Sequence, residues 1–265
     1  MAASRRAPND IFGDLLAVRR MVRYGRARPM NLVLLFAEDF QGDGERVRLE
    51  GRRARHVREV HRAGVGARLR VGLLDDRVGT GEITALTDTA LEMRVTLDSS
   101  PPAPLPVTLL LALPRPKTLR KVLQAVTAMG VKRIVLMKTW RVEKSFWASP
   151  LLAEAALREQ LVLGLEQAGD TVLPSVTVRR RFKPFVEDEV AALATGTLAL
   201  VAHPETSAAC PRDVGRPVSL AVGPEGGFIP YEVDAFRAQG FEAVSLGERR
   251  LRVEHAVPAL LGRLF

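Results

Sequence analysis

The residues with the clearest chemical potential lie in Leu220–Phe228 (LAVGPEGGF), where an apolar stretch typical of a strand leads into a glycine-rich loop. That loop consists of Gly223, Pro224, Glu225, Gly226 and Gly227. Glycines permit positive φ angles and let a ligand approach the bare backbone, and ligands of open parallel sheets bind at the carboxyl ends of strands. The loop matches neither the dinucleotide fingerprint nor the P-loop. We therefore predict a binding site of another kind, the alternative being a plain strand-to-helix turn.

Two other segments have the same arrangement of an apolar strand followed by a loop. Val244–Val257 (VSLGERRLRVEHAV) reads as a strand, a glycine loop rich in arginine, and a helix from Glu254. Leu200–Pro204 (LVAHP) reads as a strand that ends beside His203, a residue that by itself is more often structural than functional. Because three loops follow three strands, we expect them to share one pocket at the carboxyl edge of a sheet.

Composition limits the class of protein. With 47% hydrophobic and 26% charged residues in 265 positions, the chain resembles a soluble globular protein, and no apolar run reaches the roughly 18 residues of a membrane span. Cys210 is the only cysteine, and the four histidines lack metal-ligand spacing. We expect no disulfide within the chain, no metal, and a reducing cytoplasm.

The charge favours a polyanionic partner. The net charge is +9, although arginine is so much commoner than lysine that genome composition is an alternative cause. Nine arginines lie between Arg46 and Arg70, against only Glu50 and Glu59. This cluster predicts a nucleic-acid surface rather than an ordinary solvated face. Residues 1–29, with seven arginines and no apolar core of a secretory signal, are expected to be a basic, flexible extension.

A proline-rich stretch at 99–106 (SSPPAPLP) divides the chain into two parts. Residues 30–98 read as a small β-rich domain, with strands at Leu32–Ala37, Arg68–Leu73, Arg77–Leu86 and Ala90–Leu97 and a helix at Gly51–Val60. Residues 107–265 alternate strands with helices, which predicts an α/β fold with a parallel sheet covered by helices. The strands are expected at Val107–Leu113, Lys132–Met137, Thr197–Ala202, Val218–Val222 and Phe241–Ser245. The helices are expected at Lys117–Met129, Leu151–Gln167, Phe182–Ala194, Pro230–Gln239 and Glu254–Leu264.

The GPEGG loop, followed some twenty residues later by the pattern L-G-x-x-x-L-R-x-E at Leu246–Glu254, resembles the SPOUT class of methyltransferases. The resemblance is greatest to the bacterial 16S ribosomal RNA uridine-N3 methyltransferases and covers most of the chain from Met30. It implies a C-terminal parallel-sheet domain with a trefoil knot, an N-terminal PUA-like β-barrel that binds RNA, and a homodimer. It also implies S-adenosylmethionine as cofactor, S-adenosylhomocysteine as product, and ribosomal RNA or the small ribosomal subunit as partner.

The resemblance also implies site residues. The expected cofactor-binding residues are Leu200, Ala202, His203, Val222, Gly223, Pro224, Glu225, Gly226, Gly227, Leu246, Gly247, Leu251 and Arg252. The expected RNA-binding residues are Arg53, Arg55, Arg58, Arg62, Lys117 and Arg141.

Methylation at N3 of uridine requires loss of the imide proton, which gives three residues expected catalytic roles. Arg252 would stabilise negative charge on the base, and Glu254 would orient that arginine or accept the proton. His255, whose ordinary pKa lies near neutrality, is a second candidate for the base. The alternatives are a purely structural ion pair between Arg252 and Glu254 and a solvent-facing His255.

Several positions depart from the family pattern. Val253 and His255 stand where the family usually has threonines, and Ala128-Met129 stand where it has glutamate and leucine. Trp140 replaces a glutamate, and Asp170 replaces an arginine. These departures leave the target nucleotide open. They also leave two rival interpretations, a non-catalytic RNA-binding assembly factor and a nucleotide-binding oxidoreductase.

Overall fold

The computed structural model describes residues 32–42, 44–61 and 63–265. The expectations for residues 1–29 and for Arg62 therefore lie outside the described residues. The chain forms two six-stranded sheets, one in each half of the sequence. Within the described ranges, no helix is both long and apolar enough to cross a membrane.

The N-terminal sheet is mixed, with strand order β1-β4-β5-β6-β3-β2. Its strands are β1 (Val33–Leu35), β2 (Phe40–Gln41), β3 (Arg46–Glu50), β4 (Arg68–Leu73), β5 (Val78–Leu86) and β6 (Ala90–Ser99). Only β1 and β4 pair in parallel; the remaining neighbours are antiparallel. Alternate side chains of these strands are buried, among them Val47, Leu49, Leu91 and Met93, and they form the core of this half.

The sequence analysis missed β2 and β3 in this sheet. In β3 the arginines Arg46 and Arg48 alternate with buried Val47 and Leu49, so the charge cluster concealed a strand of period two. The predicted helix over Gly51–Val60 is confirmed as α1 (Gly51–His56), which continues into a π-helical segment at Val57–His61.

The C-terminal sheet is entirely parallel, which confirms the predicted α/β class. Its order is β12-β10-β11-β7-β8-β9, and its strands are β7 (Leu105–Ala112), β8 (Val131–Met137), β9 (Ser175–Arg179), β10 (Leu198–Ala202), β11 (Val218–Val222) and β12 (Glu242–Val244). The edge strand β9 was not predicted, because its short polar sequence lacks the apolar run of a central strand.

The helices of this half are α2 (Pro116–Ala128), α3 (Glu154–Ala168), α4 (Phe182–Phe185), α5 (Ala191–Ala194), α6 (Pro230–Ala238) and α7 (Val253–Leu264). A π-helical segment, Val186–Val190, joins α4 to α5, so the helix predicted over Phe182–Ala194 is continuous but not α-helical throughout. The core lies between these helices and the central strands, where Leu109, Leu110 and Leu220 are fully buried.

The predicted linker at 99–106 is too long at both ends. β6 extends to Ser99 and β7 begins at Leu105, so only residues 100–104 connect the two sheets. Pro106 lies inside β7, at a register shift between Leu105 and Thr108 in the pairing with β8. A strand tolerates proline at such an irregularity because the missing N–H group is not needed for the ladder there.

The N-terminal sheet packs against α3 and the loop that follows it. Leu32, Leu34 and Val78 form one apolar cluster with Val162 and Leu165 of α3. Backbone hydrogen bonds cross the same boundary, from the Leu32 N–H to the Glu166 carbonyl at 2.8 Å and from the Asp75 N–H to the Thr171 carbonyl at 2.9 Å. The two sheets therefore share a packed, hydrogen-bonded contact in addition to the short connection.

The departure at Asp170 has a structural role in this boundary region. Its carboxylate is 3% exposed, lies 2.6 Å from the Lys132 ammonium group, and accepts a hydrogen bond from the Val172 N–H at 3.0 Å. Buried charged groups in proteins are normally paired and hydrogen-bonded in this way. Asp170 therefore pairs with Lys132 of β8 and fixes the start of the loop after α3.

Candidate functional site

The three loops singled out in the sequence meet at one cavity. β10 pairs in parallel with β11 on one side and with β12 on the other, so the loops after these strands leave the sheet at the same edge. The cavity has a volume of about 170 Å³, far larger than the roughly 15 Å³ that one water needs on the same measure. It is therefore large enough to take an organic ligand.

The cavity wall contains most of the expected cofactor-binding residues. They are Ala202, His203, Val222, Gly223, Pro224, Glu225, Gly226, Gly227, Leu246, Gly247 and Leu251. Two of the expected residues, Leu200 and Arg252, do not line the cavity. Leu200 is fully buried in the core of β10, and Arg252 is exposed just before α7. The wall also includes Arg141, Pro204, Glu205, Phe228, Val244, Ser245, Arg249, Arg250, Val253, Ala256 and Leu260.

The GPEGG loop turns back on itself, and its first glycine lies against backbone. The Gly227 N–H donates to the Pro224 carbonyl at 2.8 Å, and Gly227 has a φ of +71°. A Cβ atom at Gly223 would lie 3.0 Å from the Phe228 nitrogen. It would also lie 3.1 Å from backbone atoms of Gly227, and because backbone atoms cannot rotate away, only glycine fits at this position without movement of the loop.

Two side chains hold the GPEGG loop to neighbouring elements. The Glu225 carboxylate accepts a hydrogen bond from the Arg115 N–H, at the start of α2, at 3.0 Å. The Arg141 guanidinium group, on the loop after β8, donates to the Gly226 carbonyl. The GPEGG loop is therefore held to the start of α2 by Glu225 and to the loop after β8 by Arg141.

Glu232 connects α6 to the loop after β8, and the sequence analysis did not single it out. Its carboxylate is 2% exposed and accepts from the Trp140 N–H at 2.6 Å and the Ile229 N–H at 3.0 Å. The available signal was its position, three residues after Ile229 in a helix that begins with Pro230, where glutamate commonly caps the backbone. The contact to Trp140, 92 residues away, could not be read from that signal.

His203 forms part of the cavity wall and has an unpartnered nitrogen. Its backbone N–H donates to the Val244 carbonyl at 2.9 Å, while its side chain is 16% exposed. The Nε2 atom lies 3.9 Å from the Glu205 carboxylate, and the buried Nδ1 atom has no hydrogen-bond partner among the described residues. A buried polar atom of this kind is normally satisfied by a partner, so it is suited to a polar group of a ligand.

The expected catalytic residues lie in the first turn of α7 and just before it. The Glu254 carboxylate lies 3.5 Å from the Lys121 ammonium group of α2, so its ionic partner is Lys121 and not Arg252, which both the orienting role and the alternative structural ion pair required. The hydrogen bond to its own backbone N–H and the charge of Lys121 lower the pKa of Glu254, although burial opposes them. Glu254 is thus held as an anion. His255 and Arg252 are both exposed.

The expected RNA-binding residues occupy different environments. Arg53 is largely buried: its guanidinium group forms an ion pair with Asp39, donates to the Leu34 carbonyl at 3.0 Å, and lies 4.6 Å from the centre of the Phe36 ring. These contacts commit Arg53 to the fold of the N-terminal sheet and do not support the expected phosphate contact. The sequence analysis missed this because Asp39 lies 14 residues away.

The remaining arginines and lysines of the expected RNA surface are more accessible. Arg58 is half-buried and donates to the backbone carbonyls of Thr87 and Asp88. Arg55 and Lys117 are exposed, Lys117 in the first turn of α2. Arg141 is exposed at the cavity, as described above.

The chain is similar in sequence to known RNA methyltransferases. The model of the RNA methyltransferase domain family matches residues 101–264. The chain is 31% identical over 238 residues to the ribosomal RNA small subunit methyltransferase E of Treponema pallidum (strain Nichols), covering 87% of this chain and 88% of that protein.

Solved structures share the fold. A putative methyltransferase from Legionella pneumophila in complex with SAM is 25% identical with a TM-score of 0.67, over 87% of this chain and 96% of that one. The ribosomal RNA small subunit methyltransferase E from Neisseria gonorrhoeae, bound to S-adenosyl methionine, is 22% identical with a TM-score of 0.66, over 88% and 95%. The second likeness concerns the fold alone. Since the family model spans most of the chain, the protein belongs to the RNA methyltransferase family, and the resemblance to SPOUT-class ribosomal RNA methyltransferases is confirmed.

Proposed function

We propose that this protein transfers a methyl group from S-adenosylmethionine to N3 of a uridine in 16S ribosomal RNA. The observation that carries the proposal is the meeting of the GPEGG loop with the loops after β10 and β12 around one cavity. The 31% identity to a ribosomal RNA small subunit methyltransferase supports the choice of RNA. With that substrate, the protein would work in the cytoplasm on ribosomal RNA or on the small ribosomal subunit.

The cavity fits the cofactor on two structural grounds. At the wall residues Gly227 and Gly247 a Cβ atom would meet nothing within 4 Å, so a ligand can approach the bare backbone there, and the unpartnered Nδ1 of His203 suits a polar ligand. We assign binding of the cofactor to the cavity-wall residues of the three loops, with Leu251 as an apolar contact at 47% exposure. When bound there, S-adenosylmethionine supplies an electrophilic methyl group on a sulfonium sulfur.

The protein's own contribution is positioning and control of the uridine proton. We assign Arg252 to stabilise negative charge on the base, since it precedes α7 close to the cavity residues Leu251 and Val253. Because its pKa is lowered, Glu254 is better suited to carry a permanent negative charge than to accept a proton. His255, exposed in the same turn, is then the better candidate for accepting the proton.

We further propose the finer features of the fold that the resemblance implies. Residues 107–265 would form the knotted methyltransferase domain, residues 30–98 a PUA-like RNA-binding domain, and two copies a homodimer. The entirely parallel sheet and the contact between α2 and α7 are compatible with the knotted domain. Exposed Arg55 and Lys117 would contact phosphates, and the target base must be single-stranded or flipped out to reach the cavity.

The test is methylation of defined RNA with labelled S-adenosylmethionine. Small ribosomal subunits and naked 16S RNA from cells lacking this gene would be the substrates, with nucleoside mass spectrometry of the product. We expect 3-methyluridine at one site. Transfer to another base would overturn the uridine assignment, and tight cofactor binding without transfer to any RNA would indicate a non-catalytic RNA-binding protein instead.

A pair of variants tests the cofactor cavity. Glu225→Ala removes the acceptor of the Arg115 N–H and frees one side of the GPEGG loop. We expect the affinity for S-adenosylmethionine, measured by calorimetry, to fall roughly fivefold to tenfold, as for loss of about one hydrogen bond. Glu248→Ala removes the same charge from an exposed position in the loop after β12 and should change the affinity little. Equal effects of the two variants would contradict the proposed role of Glu225.

A further inference from the structure

Trp140 is the most exposed large apolar side chain in the described part of the chain, with 79% of its surface accessible. The other exposed large apolar side chains of that part are Val65, Tyr231 and Leu251. Leu251 belongs to the cavity wall, and Trp140 immediately precedes the wall residue Arg141. A large exposed aromatic ring beside a binding cavity generally indicates an interaction site, since burial of its apolar surface is favourable.

The peptide that carries this ring is held firmly. The Trp140 N–H donates to the buried Glu232 carboxylate at 2.6 Å, and the Val142 N–H donates to the Thr139 carbonyl at 3.2 Å. The residues on either side of the Trp140-Arg141 pair, Thr139 and Val142, are 2% and 5% exposed. The ring therefore projects from a fixed turn, and a ligand that contacts it does not first have to order the backbone.

The position of this turn relates the ring to the reaction site. Arg141 donates to the Gly226 carbonyl, so the turn is fixed directly to the GPEGG loop. Glu232 connects the same turn to α6, where Tyr231, 55% exposed, is the adjacent residue. The Trp140 ring therefore lies on a turn that is fixed both to the GPEGG loop, through Arg141, and to α6, through Glu232.

The charges on this turn favour a polyanion. Arg141 and Lys144 are exposed there and Lys138 is half-buried, with Glu143 as the acidic residue among them. An exposed ring beside cationic side chains is the combination with which proteins bind single-stranded RNA, where bases stack on aromatic rings and cations contact phosphates.

We propose that Trp140 forms a stacking site for a nucleobase of the RNA substrate, next to the nucleotide that is methylated. This inference rests on the proposed function, because it presumes RNA at the cavity. Because Trp140 is not part of the cavity wall, the stacking site would affect how the RNA is held rather than how the cofactor is held.

The first experiment compares Trp140→Ala and Trp140→Phe with the unaltered protein in methyl transfer to the same ribosomal RNA substrate. We expect Trp140→Ala to raise KM for RNA about 5- to 150-fold, the range found when a stacking ring is removed. Trp140→Phe keeps a π-face and should stay within about threefold. The affinity for S-adenosylmethionine should be unchanged in both variants, which separates RNA binding from damage to the cavity.

The second experiment uses fluorescence. The chain has two tryptophans, so Trp147→Phe leaves Trp140 as the single indole. Addition of the RNA substrate to this variant should quench its emission and reduce its quenching by acrylamide, because a stacked indole is shielded from solvent. Trp140→Phe, which keeps Trp147 alone, is the matched control and should respond little.

The outcomes separate this inference from the proposed function. If the unaltered protein methylates RNA and Trp140→Ala does so with the same KM, the stacking site is wrong and the function stands. If Trp140→Phe is as impaired as Trp140→Ala, stacking is also not the cause. If the unaltered protein neither binds nor methylates RNA, both fail. Loss of a homodimer in Trp140→Ala, seen by sedimentation, would show that a second copy covers the ring and would overturn the inference.

Discussion

Glu254 illustrates how the structure refines the role of a single residue. From the sequence it could orient Arg252 or accept a proton, and both functions require a carboxylate near the substrate. In the folded chain its side chain is 11% exposed and pairs with Lys121 of α2, and its pKa lies below the ordinary value. A carboxylate with a lowered pKa is a weaker base. The residue therefore connects α7 to α2 and supplies a fixed negative charge at the start of α7.

This charge predicts a specific pH dependence of stability. Because the pKa of Glu254 is lower in the folded chain than in the unfolded chain, its stabilising effect is complete well above pH 4.5 and is lost as the pH falls from there through the lower pKa of the folded chain. Glu254→Gln should reduce the free energy of unfolding at pH 7 by at most about 1 kcal/mol, since Lys121 is 57% exposed and the ion pair is screened. Its loss of stability on acidification should be smaller than that of the unaltered protein.

Urea denaturation at pH 7 and at about pH 3, below the ordinary pKa of a glutamate, measures both effects. Glu248→Gln, in the exposed loop before α7, is the control for removal of one carboxylate. If Glu254→Gln loses as much stability between the two pH values as the unaltered protein does, the interpretation is wrong.

At the scale of elements, the close crossing of α2 and α3 depends on one glycine. A Cβ atom at Gly164 of α3 would lie 2.7 Å from the Gln124 carbonyl and from the Thr127 Cβ atom of α2. Beside this contact, the Gln124 side-chain amide Nε2 donates to the side-chain Oε1 of buried Gln160 at 2.7 Å. The sequence predicted both helices from their apolar spacing, but a glycine within a helix does not by itself reveal which helix approaches it.

Substitution of this glycine should separate packing from helix propensity. Gly164→Ala should lower the free energy of unfolding by about 1–3 kcal/mol, because the added methyl group meets backbone that cannot move without disturbing α2. Gly262→Ala in α7 is the matched control: nothing lies within 4 Å of its added Cβ, so it should raise stability by up to about 1 kcal/mol. Equal shifts in the urea midpoints of the two variants would show that the crossing is looser than described.

At the scale of the whole molecule, the net charge of +9 favours RNA, but its arginines are not equivalent. Arg53 and Arg55 are two residues apart in α1 and looked alike in the sequence. Arg53 lies in the core contact with Asp39, which is 6% exposed, whereas Arg55 is exposed. Net charge alone therefore overstates the number of cations that are available to phosphates.

Replacement of these two arginines by alanine should affect different properties, stability for Arg53 and RNA affinity for Arg55. Arg53→Ala leaves a buried carboxylate unpaired and should cost roughly 3 kcal/mol of stability. Arg55→Ala should change stability by less than about 0.5 kcal/mol and lower the slope of log RNA affinity against log salt concentration by about one. Thermal unfolding and RNA binding at three salt concentrations measure these quantities. A salt slope unaffected by Arg55→Ala would remove Arg55 from the RNA surface.

The sequence alone determined the features that depend on local order along the chain. Apolar periodicity and the position of glycine and proline specified most strands and helices of the C-terminal half, because burial imposes those patterns directly. It also predicted that the GPEGG loop and the loops after β10 and β12 lie together, since parallel strands place their carboxyl ends at one edge of a sheet. The strands β2, β3 and β9 were missed because charged or polar residues concealed their period.

Only the tertiary structure decided which distant residues meet. The contacts of Glu232 with Trp140, Arg53 with Asp39, Glu254 with Lys121, and Glu225 with Arg115 join segments between 14 and 133 residues apart. Their side chains carry no sequence signal of the partner, because an ion pair or a hydrogen bond requires proximity in space and not a fixed spacing. For this reason the sequence located the cavity, whereas the structure decided which charges are buried, which are held as ions, and which side chains remain free to meet RNA.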